Sequence, residues 1–211
     1  MNVYSIAKLE NQPSGSPVQW DAVQPLRIRH YLWKDNGYEP EVYARLGYTP
    51  DKLHVCFRTY ETDPLIRYHQ MNDPVYTDSC VEFFVQPVPG SDRRYFNFEL
   101  NAAGTLLLGL GIDRDRIRLQ GVNPEQFGIQ SAVNCADASG KIYWQLEFSI
   151  PFAFVREYFH DFRPASGTVI RGNFYKCGDQ TPLPHYGCWN RIEGDRPDFH
   201  QQRYFGTLVF E

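Results

Sequence analysis

The stretch from Pro74 to Leu110 constrains the chain most. Two runs in it alternate strictly. In the first, Val81, Phe83 and Val85 share one face, and Cys80, Glu82, Phe84 and Gln86 share the other. In the second, Phe96, Phe98 and Leu100 lie opposite Tyr95, Asn97, Glu99 and Asn101. Successive side chains of an extended chain point to opposite sides, so a period of two marks a half-buried strand. Between the runs, Pro87-Val88-Pro89-Gly90-Ser91-Asp92 is rich in turn formers and predicts a hairpin loop. A third apolar run, Thr105 to Leu110, follows a turn at Ala102-Ala103-Gly104. The prediction is a meander with one apolar face. Its second face carries glutamates, asparagines and a tyrosine, which can hydrogen-bond a polyol. An ordinary wet sheet face held by cross-strand pairs would carry them too.

The rest of the chain supports the same class. A short strand is expected around Leu26 to Tyr31, and a hairpin from Val42 to Tyr48 and Leu53 onward, turning at Thr49-Pro50-Asp51-Lys52. Ile129 to Cys135 and Ile142 to Ile150 form another pair. Thr168 to Cys177 alternates again, with Arg171, Asn173 and Tyr175 facing away from Ile170 and Phe174. Short strands are also expected near Ile117 to Leu119 and at Tyr204 to Phe210. Pro151 to Phe159 suits a short helix with proline in its first turn. Phe, Tyr and Trp number 15, 14 and 4, and Gly with Pro supply 16 and 15 residues. Many turns and a large aromatic core favour an all-β domain. The expected fold is an antiparallel β-sandwich of two sheets, immunoglobulin-like or jelly-roll in type, with long loops and at most one or two short helices. The 211 residues fit a single domain. Residues 1–19 read as a lead-in of little periodicity, with a loop at Pro13-Ser14-Gly15-Ser16-Pro17.

Several function classes drop out. Formal net charge is −4 and Arg93-Arg94 is only a pair, so nucleic acid is not an expected partner. No apolar run approaches the roughly 20 residues that cross a bilayer. Met1 to Gln12 lacks the pattern of a signal peptide, although removal of such a signal would leave the same view. The five cysteines, at 56, 80, 135, 177 and 188, form no Cys-x-x-Cys motif. They read as free thiols of a reducing compartment, which favours the cytoplasm unless a signal was removed. Zinc motifs, calcium loops, the P-loop, dinucleotide fingerprints and Gly-x-Ser-x-Gly are all missing. Oligomeric state is not encoded in any visible pattern.

Candidate chemistry lies in two long loops, Glu61 to Thr77 and Gly178 to Gln202, both longer than idle connections usually are. Tyr76 ends the first and Trp189 sits in the second. A flat ring can stack on the apolar face of a pyranose while neighbouring polar groups bond its hydroxyls. Trp189 could equally plug the end of the sandwich. Glu82 and Glu99 share a face of adjacent strands, and two carboxylates about 5 Å apart suit a retaining glycosidase. Arg58, Arg94 and Arg171 are available to neutralise them, which would lower rather than raise their pKa values.

A wider set of residues carries a family resemblance. It comprises Pro74-Val-Tyr-Thr-Asp78-Ser-Cys-Val-Glu82-Phe-Phe and Tyr95-Phe-Asn-Phe-Glu99-Leu-Asn-Ala-Ala-Gly104. Further on come Trp144-x-x-Glu147-x-x-Ile150-Pro151-Phe152, Arg171-Gly-Asn173-Phe-Tyr175, and Trp189 followed by Pro197-Asp-Phe-His200 and Phe205-Gly206. In this order and spacing, from about Trp20 to the end, the chain resembles the carbohydrate-binding module family 9-like group. The resemblance implies a β-sandwich that binds mono- or oligosaccharides, in known members at the reducing end of glycans, between two aromatic rings. It assigns those rings to Tyr76 and Trp189, with Tyr76 where the best-studied binders have Trp. Glu82 takes the strand glutamate's role, Arg94 that of the sugar-bonding arginine, and Tyr186 a polar contact. Asn97, Glu99, Arg171, Asn173 and Tyr175 form the supporting polar face. Structural calcium is also implied, with no ligands matched here. Such modules usually accompany secreted xylanases and related hydrolases, which implies a non-catalytic role in polysaccharide breakdown beside partner glycoside hydrolases. Two other readings remain open: a glycoside hydrolase using Glu82 and Glu99, and a structural or partner-binding sandwich that has lost the sugar site.

Overall fold

The computed structural model describes residues 1–9 and 18–211. The loop expected at Pro13 to Pro17 lies outside the described residues. The chain opens with β1 (Val3–Lys8), a strand where the sequence suggested only a lead-in. Only Tyr4 and Ile6 of its six residues are buried, so two apolar positions are all the alternation it offers. Then come β2 (Leu26–Ile28), β3 (His30–Tyr31), β4 (Glu41–Tyr48) and β5 (Lys52–Tyr60). The meander follows as β6 (Cys80–Gln86), β7 (Tyr95–Asn101) and β8 (Leu106–Ile112), extended by β9 (Asp115–Arg118). The last part holds β10 (Gln130–Ala136), β11 (Ile142–Pro151), the helix α1 (Phe152–Tyr158), β12 (Val169–Cys177), β13 (Tyr186–Cys188) and β14 (Gly206–Phe210). Pro151 caps α1, whose Phe152, Phe154 and Val155 are buried.

The fold is all-β with one short helix, but the two expected sheets are one. The strand order runs β10-β11-β5-β4-β1-β14-β12-β6-β7-β8-β9. The strand missing from the sequence reading is the link. β1 pairs in parallel with β14 on one side and with β4 on the other. The continuous sheet curls until its halves face each other. Phe57 of β5 meets Phe174 of β12 edge-on at 6.0 Å, and Phe98 of β7 stacks on Phe148 of β11 at 5.7 Å. The expected apolar face of the meander, Val81, Phe83, Val85, Phe96, Phe98 and Leu100, lies in this main core.

The second face of the meander is not wet. Phe84, Tyr95, Leu107, Tyr175 and Cys177 form a second apolar cluster with Phe205 and with Val75, Ile192 and Phe199, which the two long loops bring across. Every residue of β6 and β7 is buried as a result. Burial of each large side chain under the loops contributes about 1.5–3 kcal/mol, which holds the cover down.

A buried polar network adds a second anchor. The Glu61 carboxylate accepts from Trp144 Nε1 at 3.0 Å and Ser79 Oγ at 3.0 Å, and pairs with Lys176 Nζ at 3.2 Å. Lys176, wholly buried, also donates to the Cys177 carbonyl at 3.0 Å and meets His185 Nε2 at 2.8 Å. His185 Nδ1 reaches the Leu183 carbonyl at 2.8 Å, so the ring is neutral and accepts from the ammonium. Burial and the Lys176 charge push His185 down to about 4. Burial alone would raise Glu61, but the Lys176 charge and the Trp144 N–H outweigh it and hold it below its usual range. A buried pair persists only with its remaining lone pairs and protons satisfied, and here each partner has several bonds.

Candidate functional site

A cavity of about 490 Å³ opens over the second face, under the β8–β9 hairpin and between the two loops. Its floor follows from strand register. Glu82 sits directly opposite Glu99, and Asn97 opposite Gly109. A Cβ at Gly109 would stand 2.3 Å from Asn97 Oδ1, so only glycine leaves room for that amide. Asn97 Nδ2 donates to Glu99 Oε1 at 2.8 Å, and the Cys177 thiol donates to Glu82 Oε1 at 3.0 Å.

The two glutamates are each 3% exposed, and neither forms an ion pair among the described residues. Like charges directly across a sheet repel, and burial disfavours the charged form of each. Burial, with the Glu99 charge added, lifts Glu82 well above the carboxylate range. Burial lifts Glu99 to about 7 against the pull of the Asn97 hydrogen bond. The two carboxyls therefore titrate as a coupled pair, each above its usual range. The arginines expected to neutralise it are elsewhere. Arg58 binds Gln145 Oε1 through Nε at 3.0 Å and Nη2 at 2.9 Å. Arg94 closes on Asp92 at 2.6 Å, and Arg171 Nη2 donates to the Phe205 carbonyl at 2.7 Å.

The walls come from the loops. Tyr76 stands in a short 3-10 turn, Val75–Thr77, and its carbonyl accepts from the Asp179 amide at 3.2 Å. That bond ties the first loop to the second. The buried Asp78 carboxylate fixes the first loop further by collecting Arg67 N, Tyr68 N, Arg67 Nε and Asn101 Nδ2 at 2.8 to 3.1 Å. Tyr186 faces the cavity from β13, with Trp33 edge-on at 5.9 Å. Burial raises Asp179, beside it, to about 6, opposed by a hydrogen bond with Tyr186. Across the cavity, Phe199 stacks on Tyr175 at 4.2 Å, and His200 stacks on Phe84 at 4.7 Å. His200 Nδ1 also lies 2.9 Å from the Tyr95 hydroxyl. Burial and the charges of Arg116 and Arg114 drive His200 down to about 2, so it is neutral. Arg114, Arg116 and Arg118 form the rim.

Of the residues singled out from sequence, Tyr76, Glu82, Asn97, Glu99 and Tyr186 meet at this cavity. Trp189 does not line it and is a core plug. It is 5% exposed, edge-on to Phe174 at 5.7 Å, with its backbone N–H on the Phe174 carbonyl at 3.0 Å. Period two explains this: Trp189 lies three positions after Tyr186, an odd offset, so the two point to opposite sides of the chain. Arg94 is also absent from the lining, being held by Asp92 and by the Tyr158 carbonyl at 2.9 Å. Asn173 is wholly buried and exchanges hydrogen bonds with the Asn190 backbone at 2.9 and 3.0 Å. Tyr175 lies beneath the lining and donates to the Phe199 carbonyl at 3.1 Å. Arg171 lines a neighbouring groove instead. The sequence reading missed Arg114, Arg116, Arg118, Asp179, Phe199 and His200 as lining residues. The three arginines alternate from position 114 to 118, a legible sign that they share one face of the β8–β9 hairpin.

One set of metal-capable donors assembles among the described residues. The side-chain donors of Cys80, Glu82 and Cys177 lie within 4.8 Å of one another. Two thiols and one carboxylate form a soft set. Calcium takes six to eight oxygen ligands, so this cluster does not fit it.

Comparisons with known proteins bear on this geometry. The family model of carbohydrate-binding family 9 matches residues 17–210. A crystal structure from Bacteroides uniformis, of a protein whose carbohydrate binding is inferred, is 30% identical over 99% of both chains, with a TM-score of 0.83. A family 9 carbohydrate-binding module from Caldicellulosiruptor kristjanssonii, in complex with glucose, matches at TM-score 0.64 and 12% identity over 100% of this chain and 96% of that one. Such a module from the same organism in complex with cellotriose gives 0.65 and 13%, over 100% and 94%. At these identities the two modules show shared fold alone. No curated protein sequence matches. The family match over nearly the whole chain, together with the B. uniformis relative, places this protein in carbohydrate-binding family 9.

Proposed function

We propose that the protein binds carbohydrate without catalysis, holding a sugar in the cavity over Glu82 and Glu99. The observation that carries this reading is the meeting of two unpaired buried carboxyls with the half-buried rings of Tyr76 and Tyr186 around one opening. Small-ligand sites use this division of labour, in which ring faces supply contact area and a few polar groups set orientation. Sugar hydroxyls both donate and accept, so they suit buried carboxyls that have no cationic partner. The clamp is formed by Tyr76 and Tyr186, backed by Phe199, and Asp179 supplies a further acceptor. Family membership and the glucose and cellotriose bound by the two C. kristjanssonii modules support a glucose-type ligand. Binding at a glycan reducing end, in support of partner glycoside hydrolases, is the physiological role we assign.

Calorimetric titration with glucose and cellotriose tests the reading. Removal of one clamp ring in Tyr186→Ala is expected to weaken binding about tenfold, the loss of one ring face of contact, with thermal melting verifying that the variant is folded at the titration temperature. Unchanged affinity would overturn the clamp. One observation favours a hydrolase instead, the raised pKa of Glu99, which suits a general acid. Turnover of an aryl glycoside that vanishes in Glu99→Gln, while sugar still binds, would decide for it.

A further inference from the structure

Beside the first cavity lies a second concavity of about 670 Å³. The two share Arg114, Asp198 and His200, so they adjoin. The charges around this groove are unequal. Arg93, Arg114, Arg171 and Arg203 face only Asp113 and Asp198. Asp198 is taken by Arg114 Nε at 3.0 Å, and Asp113 Oδ1 accepts from the Gln202 backbone N–H at 3.1 Å. Arg93, Arg171 and Arg203 form no ion pair among the described residues. Neutral groups orient them instead. The Arg171 guanidinium is fixed on the Phe205 carbonyl, and Arg203 donates to Gln201 Oε1 at 2.8 Å and lies over the Tyr204 ring at 4.8 Å. With the Gln202 amide in its satisfied orientation, its oxygen accepts from Arg93 Nη2 at 2.9 Å and Nε at 3.2 Å.

We propose that this groove is an anionic subsite, and that the preferred ligand is a saccharide carrying a carboxylate or sulfate group next to the sugar held over Glu82 and Glu99. A guanidinium offers five N–H donors in a flat fork that matches the oxygens of such groups. Three of the four forks here are steadied by neutral acceptors instead of ion pairs, and the lining carries two more positive charges than negative ones. In a chain of net charge −4 this local excess is not a property of the surface at large. A charged group there forms charge-assisted hydrogen bonds, about twice as strong as neutral ones. The inference rests on the sugar reading, since the subsite is an extension of that cavity.

The test is calorimetry with three probes: cellobiose, a glucuronic-acid-containing disaccharide and a sulfated cellobiose. Each is measured at low and at moderate salt, against the parent and an Arg93→Ala/Arg203→Ala double variant. Both residues are exposed and outside the first cavity, and thermal melting verifies the variant's fold. The expected result is that at least one acidic disaccharide binds about tenfold more tightly than cellobiose at low salt. That advantage shrinks with salt and disappears in the double variant, while cellobiose affinity stays put. Whichever acid shows the advantage identifies the group. Equal affinity for neutral and acidic sugars, or an advantage that survives in the double variant, overturns the subsite alone. Failure of all three probes to bind overturns the sugar reading and the subsite with it.

Discussion

Glu99→Gln should make this protein more stable at pH 8 while weakening its hold on sugar. Glu99 is 3% exposed, opposite a second buried glutamate, and burial raises its carboxyl from 4.5 to about 7. The folded chain then binds this proton more tightly than the unfolded chain does. Stability from that difference is fully present below pH 4.5 and is lost as pH rises through 7. At 1.36 kcal/mol per pH unit the whole span is worth roughly 3 kcal/mol. Glu82, raised for the same reason, pushes in the same direction. Glutamine keeps the shape, leaves an acceptor for Asn97 Nδ2 and removes the charge. The variant should match the parent at pH 5 and exceed it by up to roughly 3 kcal/mol at pH 8. Urea unfolding of both proteins at both pH values measures this. Comparing parent with variant cancels the other titrating groups, and unchanged m-values verify a common unfolded state. An equal gap between the two proteins at pH 5 and pH 8 would refute the reasoning, because Glu99 would then titrate like an exposed carboxylate.

Three further substitutions probe the parts that hold the cavity. Trp189→Ala should cost about 3–5 kcal/mol in urea unfolding, as truncation of a buried indole does, while the folded fraction keeps its sugar affinity. A small cost with lost binding would return Trp189 to the site. Lys176→Met strands the Glu61 carboxylate in the interior and should cost about 3–5 kcal/mol at neutral pH, read in the same way. Gly109→Ala places a methyl group 2.3 Å from Asn97 Oδ1, so the amide must move. A loss of about 1–3 kcal/mol and weaker calorimetric binding are expected together.

The fold was legible where alternation was long. The runs through β6, β7 and β11 place their apolar side chains in the main core as expected, because seven to ten residues of period two leave little doubt about face. β1 escaped because only Tyr4 and Ile6 mark its buried face, and with it escaped the continuity of the sheet, since long-range parallel pairing leaves no local mark. At the site, the strand positions followed from register, whereas the loop positions were named by motif, and of those Tyr76 and Tyr186 line the cavity and Trp189 and Arg94 do not. Glu82, Asn97 and Glu99 follow from register alone. Trp189 and Arg94 were assigned by motif, and their directions depend on three-dimensional contacts, Phe174 for one and Asp92 for the other. The second aromatic wall, Tyr186 and Phe199, comes from a loop whose path is set by the Lys176 network and the Asn173–Asn190 bonds, neither of which has a sequence period.

The most direct test of the sugar site is a crystal structure of the protein soaked with cellotriose. Density for a glucose unit above Glu82 and Glu99, with Tyr76 and Tyr186 against its ring faces, is the expected result. Ligand density elsewhere on the molecule, with this cavity holding only water, would contradict the assignment.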